Sequence, residues 1–338
     1  MQFKNILIIG LGLVGGSFAK HLKKKSAQIE ILAYDNNIKS LKEALNEKII
    51  DKIFDFNNKM HKIDLIIIAT PLSQYHEIFN QINLINCKPL IIDFGSVKNF
   101  NFDNIPSNFV GCHPIAGSHN YGYKNSNYDI FTNKKIIICQ KHDELMNFFK
   151  NIDLHPIFLD SKNHDKIYAL ISHLPQFISF MLHELSPQEI DPTYEKIFRL
   201  KDSEHSNWQD IFTFNNNNIE HYYYKFFENL EQNLYIIENS NYSKIINKSL
   251  SLCEKFNITN NSLDWIFFKN NFSLLFFRFI IIISYLEIID IEKYHEFCGT
   301  GFTDFISLIS IIRKNSVNIS QLISQHKVEI NNLFLKIS

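Results

Sequence analysis

Residues 5–35 read NILIIGLGLVGGSFAKHLKKKSAQIEILAYD. An isoleucine-rich run, Asn5–Gly10, meets a glycine cluster; a helix-compatible stretch follows over Val14–Lys24, and a second apolar run, Ile29–Asp35, ends on an acid. Short apolar runs joined by amphipathic segments are the pattern of buried parallel strands and their crossover helices. In Gly10-Leu11-Gly12-Leu13-Val14-Gly15 the first glycine suits a tight turn, the second lets a pyrophosphate approach the backbone, and the third lets helix and strand pack closely. Phosphates would rest on the free amides at the helix start. Asp35, twenty residues past Gly15, stands where a carboxylate can accept both hydroxyls of a ribose. Turn and acid together predict a dinucleotide-binding unit. Asp35 also favours NAD over NADP, because a 2′-phosphate would meet its charge and Asn36-Asn37 offers no arginine to offset it.

The same rhythm continues through Asp64–Thr70, Pro89–Asp93, Phe109–Cys112, Lys135–Cys139 and Leu154–Leu159, with crossovers predicted over Ile38–Leu45 and Ser73–Ile82. Thr70 and Pro71 end one of these strands at the edge where a cofactor lies; they read either as cofactor contacts or as a plain strand-ending turn. From His164 onward strand-like runs give way to long apolar-periodic stretches. The sequence thus predicts an α/β fold: a Rossmann-type doubly wound sheet over residues 1–160, a helical domain over 161–249, and a helical extension over 250–338. The apolar stretch Leu274–Leu286 is interrupted by Arg278 and Ser284 and falls short of the roughly 20 residues that span a bilayer, so it reads as a buried helix. Asn215–Asn218 lies inside a helical pattern.

Composition narrows the function. With 338 residues, 45% hydrophobic, 20% charged and a net charge of -1, the chain is long enough for two domains and lacks the basic excess of a nucleic-acid or membrane-surface binder. Five cysteines without a CxxC pair argue against a disulfide framework or a zinc site and for free thiols in a reducing cytoplasm; no metal is expected. Only Arg199, Arg278 and Arg313 are arginines among 34 basic residues, which singles them out, since lysine cannot make a planar two-pronged contact to a carboxylate.

Three further segments place polar side chains at strand ends or helix mouths, where open α/β sheets bind ligands: Asp93-Phe94-Gly95-Ser96-Val97-Lys98, Gly111-Cys112-His113-Pro114-Ile115-Ala116-Gly117, and His164-Asp165 with Ser172-His173-Leu174-Pro175. Taken in order with the glycine turn, ATPLSQY and FRLKDSEHSNWQDI, they span some 210 residues and resemble the prephenate and arogenate dehydrogenases of tyrosine biosynthesis. The resemblance implies an NAD-dependent oxidative decarboxylation in which hydride leaves the ring carbon bearing the 4-hydroxyl, carbon dioxide leaves the opposite carbon, and the ring aromatises. By the family pattern His113 takes the hydroxyl proton, a task that suits a neutral imidazole near pH 7. Ser96 would orient His113 or the nicotinamide, and Arg199 would grip the ring carboxylate. Trp208 takes the aromatic position of the Arg199 segment or serves as a core residue. Nine residues turn a straight helix by half a circle, so Arg199 and Trp208 share a site only across a bend or two subunits. His164 reads as a substrate contact or as half of a helix-start pair with Asp165.

Departures from the pattern are informative. Gln176 stands where the family usually carries a histidine after SHLP, which leaves its contact with the substrate side chain open. His119 replaces an acid after HPIAGS, and the segment Tyr194–Phe198 replaces a glycine-rich one before Arg199. Prephenate and arogenate both remain as substrates. Cys298-Gly299-Thr300-Gly301-Phe302-Thr303-Asp304-Phe305 is close to the missing glycine-rich motif, with Ser307 and Ser316 where the arginine and tryptophan belong, so residues 250–338 read as a degenerate second copy of the helical domain or as an unrelated extension. The resemblance implies that residues 161–249 form a substrate and dimerisation domain, and a duplicated copy could take the place of a partner's, giving a pseudo-dimeric monomer in preference to a homodimer. Competing functions are a non-catalytic NAD-binding regulator and a β-hydroxyacid dehydrogenase. The latter would need a Lys-x-x-Asn pattern on the first interdomain helix, where none occurs.

Overall fold

The computed structural model describes residues 3–57, 62–85, 87–117, 120–185, 205–239, 241–256, 272–298, 302 and 312–334. The chain divides into two compact units, Met1–Asp165 with Glu204–Asn215, and Lys166–Ser203 with Asn216–Ser338.

The first unit is built on six parallel strands: β1 (Asn5–Ile9), β2 (Glu30–Tyr34), β3 (Lys52–Ile53), β4 (Leu65–Ile68), β5 (Leu90–Asp93) and β6 (Phe109–Val110). Their order, β3-β2-β1-β4-β5-β6, is that of a dinucleotide-binding sheet, with the switch point between β1 and β4. Side chains alternate between the two faces as the period of a strand requires. Ile6, Ile8, Ile31, Ala33, Leu65 and Ile67 join one core, and Leu7, Ile9, Leu32, Ile66 and Ile68 the other. Helix α1 (Leu13–Lys25) covers the first face with Phe18, Ala19 and Leu22; helix α3 (Tyr75–Asn83) covers the second with Tyr75, Ile78, Phe79 and Ile82. Between them in sequence, α2 (Ile38–Asn46) adds Leu41 and Ala44 to the first core. Both faces are therefore dry, which explains the continuous apolar runs.

One strand expectation is corrected, and one strand is added. The run Phe109–Cys112 is not one strand: β6 ends at Val110 and β7 (Cys112–Pro114) begins a second sheet, β7-β8-β9, with β8 (Lys135–Ile138) and β9 (His155–Phe158). The switch occurs where Asp93 Oδ1 accepts the Cys112 N–H at 3.0 Å, a donor that a longer β6 would have spent on its ladder. β3 went unpredicted because both its residues are exposed and give no apolar signal. Helix α4 (Asp143–Asn151) links β8 to β9 in the sequence and buries Leu145, Phe148 and Phe149.

The domain boundaries also differ from expectation. Helix α5 (Ser161–Tyr168) begins at the expected place, but the first unit runs on to Asp165. A later helix, α7 (His205–Phe214), returns to that unit rather than to the helical one: Ile211 and Phe214 pack on the α3-side core, and Asp210 Oδ2 accepts Ser73 N–H at 2.9 Å and Ser73 Oγ at 2.8 Å. The asparagine run does not lie inside one helix. Asn215 separates α7 from α8 (Asn216–Glu238).

The described part of the second unit is helical: a π-turn at Ala169–His173, then α6 (Leu174–Leu185), α8, α9 (Tyr242–Lys255), α10 (Phe272–Leu286), α11 (Ile291–Tyr294) and α12 (Ile312–Phe334). The apolar run forms α10, whose Phe276, Phe279, Ile280, Ile281, Ile283, Tyr285 and Leu286 are fully buried against α8, α9 and α12. Residues 250–338 thus share one unit with residues 216–249 instead of standing as a third domain. The glycine-rich motif Gly299–Gly301, Thr303–Phe305 and Ser307 lie outside the described residues, and Ser316 lies in α12.

Candidate active site

The glycine turn follows β1 at the switch point. Gly10 has a φ of +96°, and a Cβ there would stand 2.6 Å from the Ala69 carbonyl oxygen; a Cβ on Gly15 would stand 2.0 Å from the Gly10 oxygen. Neither position admits a side chain. Gly12 differs: a Cβ there meets nothing within 4 Å, and as the N-cap of α1 it supplies no side-chain cap. The first-turn amides of α1 are thus left for an anion, and the positive end of the helix dipole reinforces them.

Two adjoining cavities open along this edge. One, of about 550 Å³, is lined by Gly10, Gly12, Asp35, Thr70, Pro71 and Glu77; the other, of about 390 Å³, by Gly12, Thr70, Pro71, Gly95, Ser96 and Asp210. Asp35 is pinned between the turn and the start of α2, accepting Leu11 N–H at 2.5 Å through Oδ2 and Asn37 N–H at 2.6 Å through Oδ1. All six cofactor residues predicted from sequence, Gly10, Gly12, Gly15, Asp35, Thr70 and Pro71, therefore meet at one sheet edge. An anionic, two-part ligand fits this cleft by the exposed amides at one point and the carboxylate at another.

Behind Ser96 lies a buried polar cluster. Asp93, the last residue of β5, pairs with Lys98, both side chains fully buried. Its carboxylate also accepts the Tyr75 hydroxyl at 2.8 Å, Gly95 N–H at 3.1 Å and Cys112 N–H at 3.0 Å. One charge pair thus fixes both the loop that presents Ser96 and the start of the strand that presents His113. Burial and the nearby Asp93 push the Tyr75 hydroxyl and the Cys112 thiol up, so both stay neutral.

His113 is half-buried on β7, and its Nδ1 lies 2.9 Å from Nε2 of His164. His164 is fully buried, with Nδ1 2.7 Å from Asp165 Oδ1. Asp165 in turn accepts Lys98 N–H at 2.8 Å and Asn99 N–H at 2.7 Å, and its carbonyl oxygen accepts Asn215 Nδ2 at 2.9 Å. Burial, aided by the Lys98 charge, holds the His164 pKa well below its ordinary value. The segments DFGSVK, GCHPIAG and HD, far apart in sequence, are here one connected array beside the cleft that the glycine turn and Asp35 line.

Comparison with known proteins agrees with this geometry. A model described as "Prephenate dehydrogenase, nucleotide-binding domain" matches residues 18–153, and one described as "Prephenate dehydrogenase, dimerization domain" matches residues 160–249. The chain belongs to the prephenate dehydrogenase family. Among its relatives, the prephenate dehydrogenase of Lactococcus lactis is 34% identical over 189 residues, 53% of each chain. That of Bacillus subtilis is 31% identical over 240 residues, 63% of this chain and 65% of the relative. The chain thus spans about half the length of the first of these relatives and just under two thirds of the second. The crystal structure of prephenate dehydrogenase from A. aeolicus in complex with hydroxyphenyl propionate and NAD+ superimposes with a TM-score of 0.67 at 25% identity, covering 73% of this chain and 95% of that one.

Membership in the prephenate dehydrogenase family does not place every predicted residue. The nucleotide-binding match starts after the glycine turn, which stands on its own geometry, and residues 250–338 lie beyond both matches. Trp208 is half-buried on α7 with its ring 5.7 Å from that of Phe212, and belongs to the first unit. His173 and Gln176 are buried in the second unit, His173 closing the π-turn and Gln176 in α6. Arg199 and His119 lie outside the described residues. His164, read as a substrate contact or as half of a helix-start pair with Asp165, is fully buried and bonded to both Asp165 and His113, a placement that suits a supporting role. Sequence reading missed Asp210, which lines the cleft from α7, and Asn215, which holds the Asp165 carbonyl. The conspicuous N-N-N-N run hid the second, since low complexity draws attention away from any one of its members.

Proposed function

We propose that this chain catalyses the NAD-dependent oxidative decarboxylation of prephenate to 4-hydroxyphenylpyruvate and carbon dioxide, in the cytoplasm, where its five free cysteines suit a reducing medium. The observation that carries the proposal is His113, an imidazole anchored through Nδ1 and linked by His164 and Asp165 to the Ser96–Asn99 segment beside the cleft. Bound NAD supplies a two-electron acceptor. Gly12 and the α1 amides would hold its pyrophosphate, Asp35 its adenosine ribose, and Thr70 and Pro71 the middle of the molecule.

His113 accepts the 4-hydroxyl proton through Nε2 as the C–H electron pair leaves that carbon. Loss of the ring carboxylate as carbon dioxide then returns an electron pair to the ring, and the resulting phenolate takes up a proton. The hydroxyl proton lost is thereby regained, and the net change is one carbon dioxide and one reduced cofactor. Ser96 orients the His113 ring or the cofactor amide, Arg199 holds the ring carboxylate, and Gln176 and Trp208 stand on the substrate side. The resemblance of FRLKDSEHSNWQDI to the family supports the assignments of Arg199 and Trp208, and that of Gln176 rests on its place after SHLP, where the family usually carries a histidine.

Helix α10 supports the assembly reading, since its apolar face is buried within one chain. We therefore extend the proposal to a pseudo-dimeric monomer, with a homodimer as the competing state. The functional test is steady-state formation of NADH from prephenate and, side by side, from arogenate, with 4-hydroxyphenylpyruvate identified as product. Turnover of prephenate at the higher kcat/KM is expected. No NADH from either substrate would reduce the protein to a nucleotide binder, and preference for arogenate would move the reading to tyrosine as the direct product.

A further inference from the structure

We propose that His164 and Asp165 are positioning residues that keep the single proton of neutral His113 on Nδ1 and so direct the Nε2 lone pair to the substrate hydroxyl. The inference rests on the reading of His113 as the base and extends it to two residues behind the site.

The argument runs outward from donors that cannot reverse. Lys98 N–H and Asn99 N–H both point at the Asp165 carboxylate, at 2.8 and 2.7 Å, and a backbone amide only donates. Asp165 therefore acts as an acceptor, and the third group at its Oδ1, Nδ1 of His164, must donate. His164 is fully buried and held neutral by that burial and by the Lys98 charge, so it carries one ring proton. Its Nε2 is then a lone pair, and the His113 Nδ1 at 2.9 Å must donate to it. A neutral imidazole has one N–H, which leaves Nε2 of His113 as its acceptor.

Among the described residues, the titratable groups facing His164 include His113 on β7, Asp165 on its own helix, and Lys98 on the segment after β5, which is ion-paired with Asp93. Cys139, which follows β8, adds no charge, because burial pushes its thiol up to about 12. When His113 takes the hydroxyl proton its Nδ1–H becomes a charged donor, and a hydrogen bond from a charged donor is roughly twice as strong as a neutral one. His164 thus holds His113 more tightly in the transition state than in the ground state, the condition for raising kcat rather than lowering KM.

The deciding measurement uses the unmodified full chain: NMR of the histidine ring nitrogens near neutral pH, with the two rings assigned by His164→Gln and His113→Asn. Both rings are expected neutral with the proton on Nδ1. A doubly protonated His164, or a proton on its Nε2, overturns the proposal. The kinetic arm compares His164→Leu, which removes the acceptor at similar volume, with His164→Gln, whose amide oxygen can reach the position of Nε2. His164→Leu is expected to lower kcat about tenfold with little change in KM. It should also move the acid limb of the kcat profile to lower pH, because the imidazolium of His113 has lost its acceptor; His164→Gln should recover most of both. Unchanged kcat and acid limb in His164→Leu, or an equal loss in the two variants, contradicts a positioning role. Expected tautomers in a wild-type protein that turns over neither substrate would instead refute the functional reading and leave the pair standing.

Discussion

At the scale of single residues, two side chains carry separable predictions. Asp35 presents its carboxylate at the far end of the cleft while gripping the Leu11 and Asn37 amides. NAD should outperform NADP by at least tenfold in kcat/KM, about 1.4 kcal/mol, and Asp35→Ser should narrow that ratio without altering the KM for prephenate; equal efficiency of both cofactors in the wild type would contradict it. His164 carries a stability prediction. Its folded pKa lies well below its usual value of 6.5, so between the two values the unfolded chain binds a proton that the native chain does not. The stability it contributes is complete above about pH 6.5 and is lost as pH falls, at up to about 1.4 kcal/mol per pH unit for this one group. Thermal unfolding followed from neutral pH to about pH 5 should show a Tm that drops on acidification, and a flatter drop in His164→Gln. Identical slopes would sink the assignment. The lowered carboxylates Asp64, Asp153 and Asp160 act in a separate window, below the ordinary carboxylate range. Asp35 was legible because its spacing from a glycine turn is a local pattern. The bond between His113 and His164, 51 residues apart, was not, because no periodicity or propensity encodes a contact of that separation.

At the scale of elements, the β1–turn–α1 unit makes opposite demands on its glycines. A methyl group on Gly15 must displace the Gly10 carbonyl, whereas on Gly12 it enters open cleft. Gly15→Ala should lower stability by about 2–4 kcal/mol, read by denaturant unfolding. Gly12→Ala should fold normally and bind NAD at least tenfold more weakly, read by calorimetry; the reverse pattern would show that the roles of the two glycines have been exchanged. Most strands of the first unit could be read directly because both faces of a parallel sheet are buried and isoleucine runs mark them. The split of Phe109–Cys112 into β6 and β7 could not, since it depends on Asp93 capturing one amide from a distant strand. The π-turn at Ala169–His173 likewise left no trace in the apolar pattern. Amphipathicity correctly made α7 a helix, but a helical stripe says only that a face is buried and not which core it joins. For that reason Trp208 was placed with the helical domain over 161–249, although α7 belongs to the first unit.

At the scale of the whole molecule, the helical unit covers its most apolar helix with segments from both sides of residue 250. Sedimentation at micromolar concentration should therefore show a monomer, and a stable dimer would show that a partner surface remains elsewhere on the chain. The nucleotide-binding unit brings the glycine turn, Asp35, Thr70, Pro71, Ser96, His113, His164 and Asp165 into one body, and the central claim is that this assembly is a dehydrogenase site with His113 as its base. The most direct test is the rate of NADH formation from prephenate and NAD by the wild-type chain and by His113→Asn. The account predicts turnover by the wild type and a loss of about 10²–10⁴-fold in kcat in the variant, with KM nearly unchanged, because proton transfer belongs to the transition state. A His113→Asn enzyme that keeps near-wild-type kcat would contradict it.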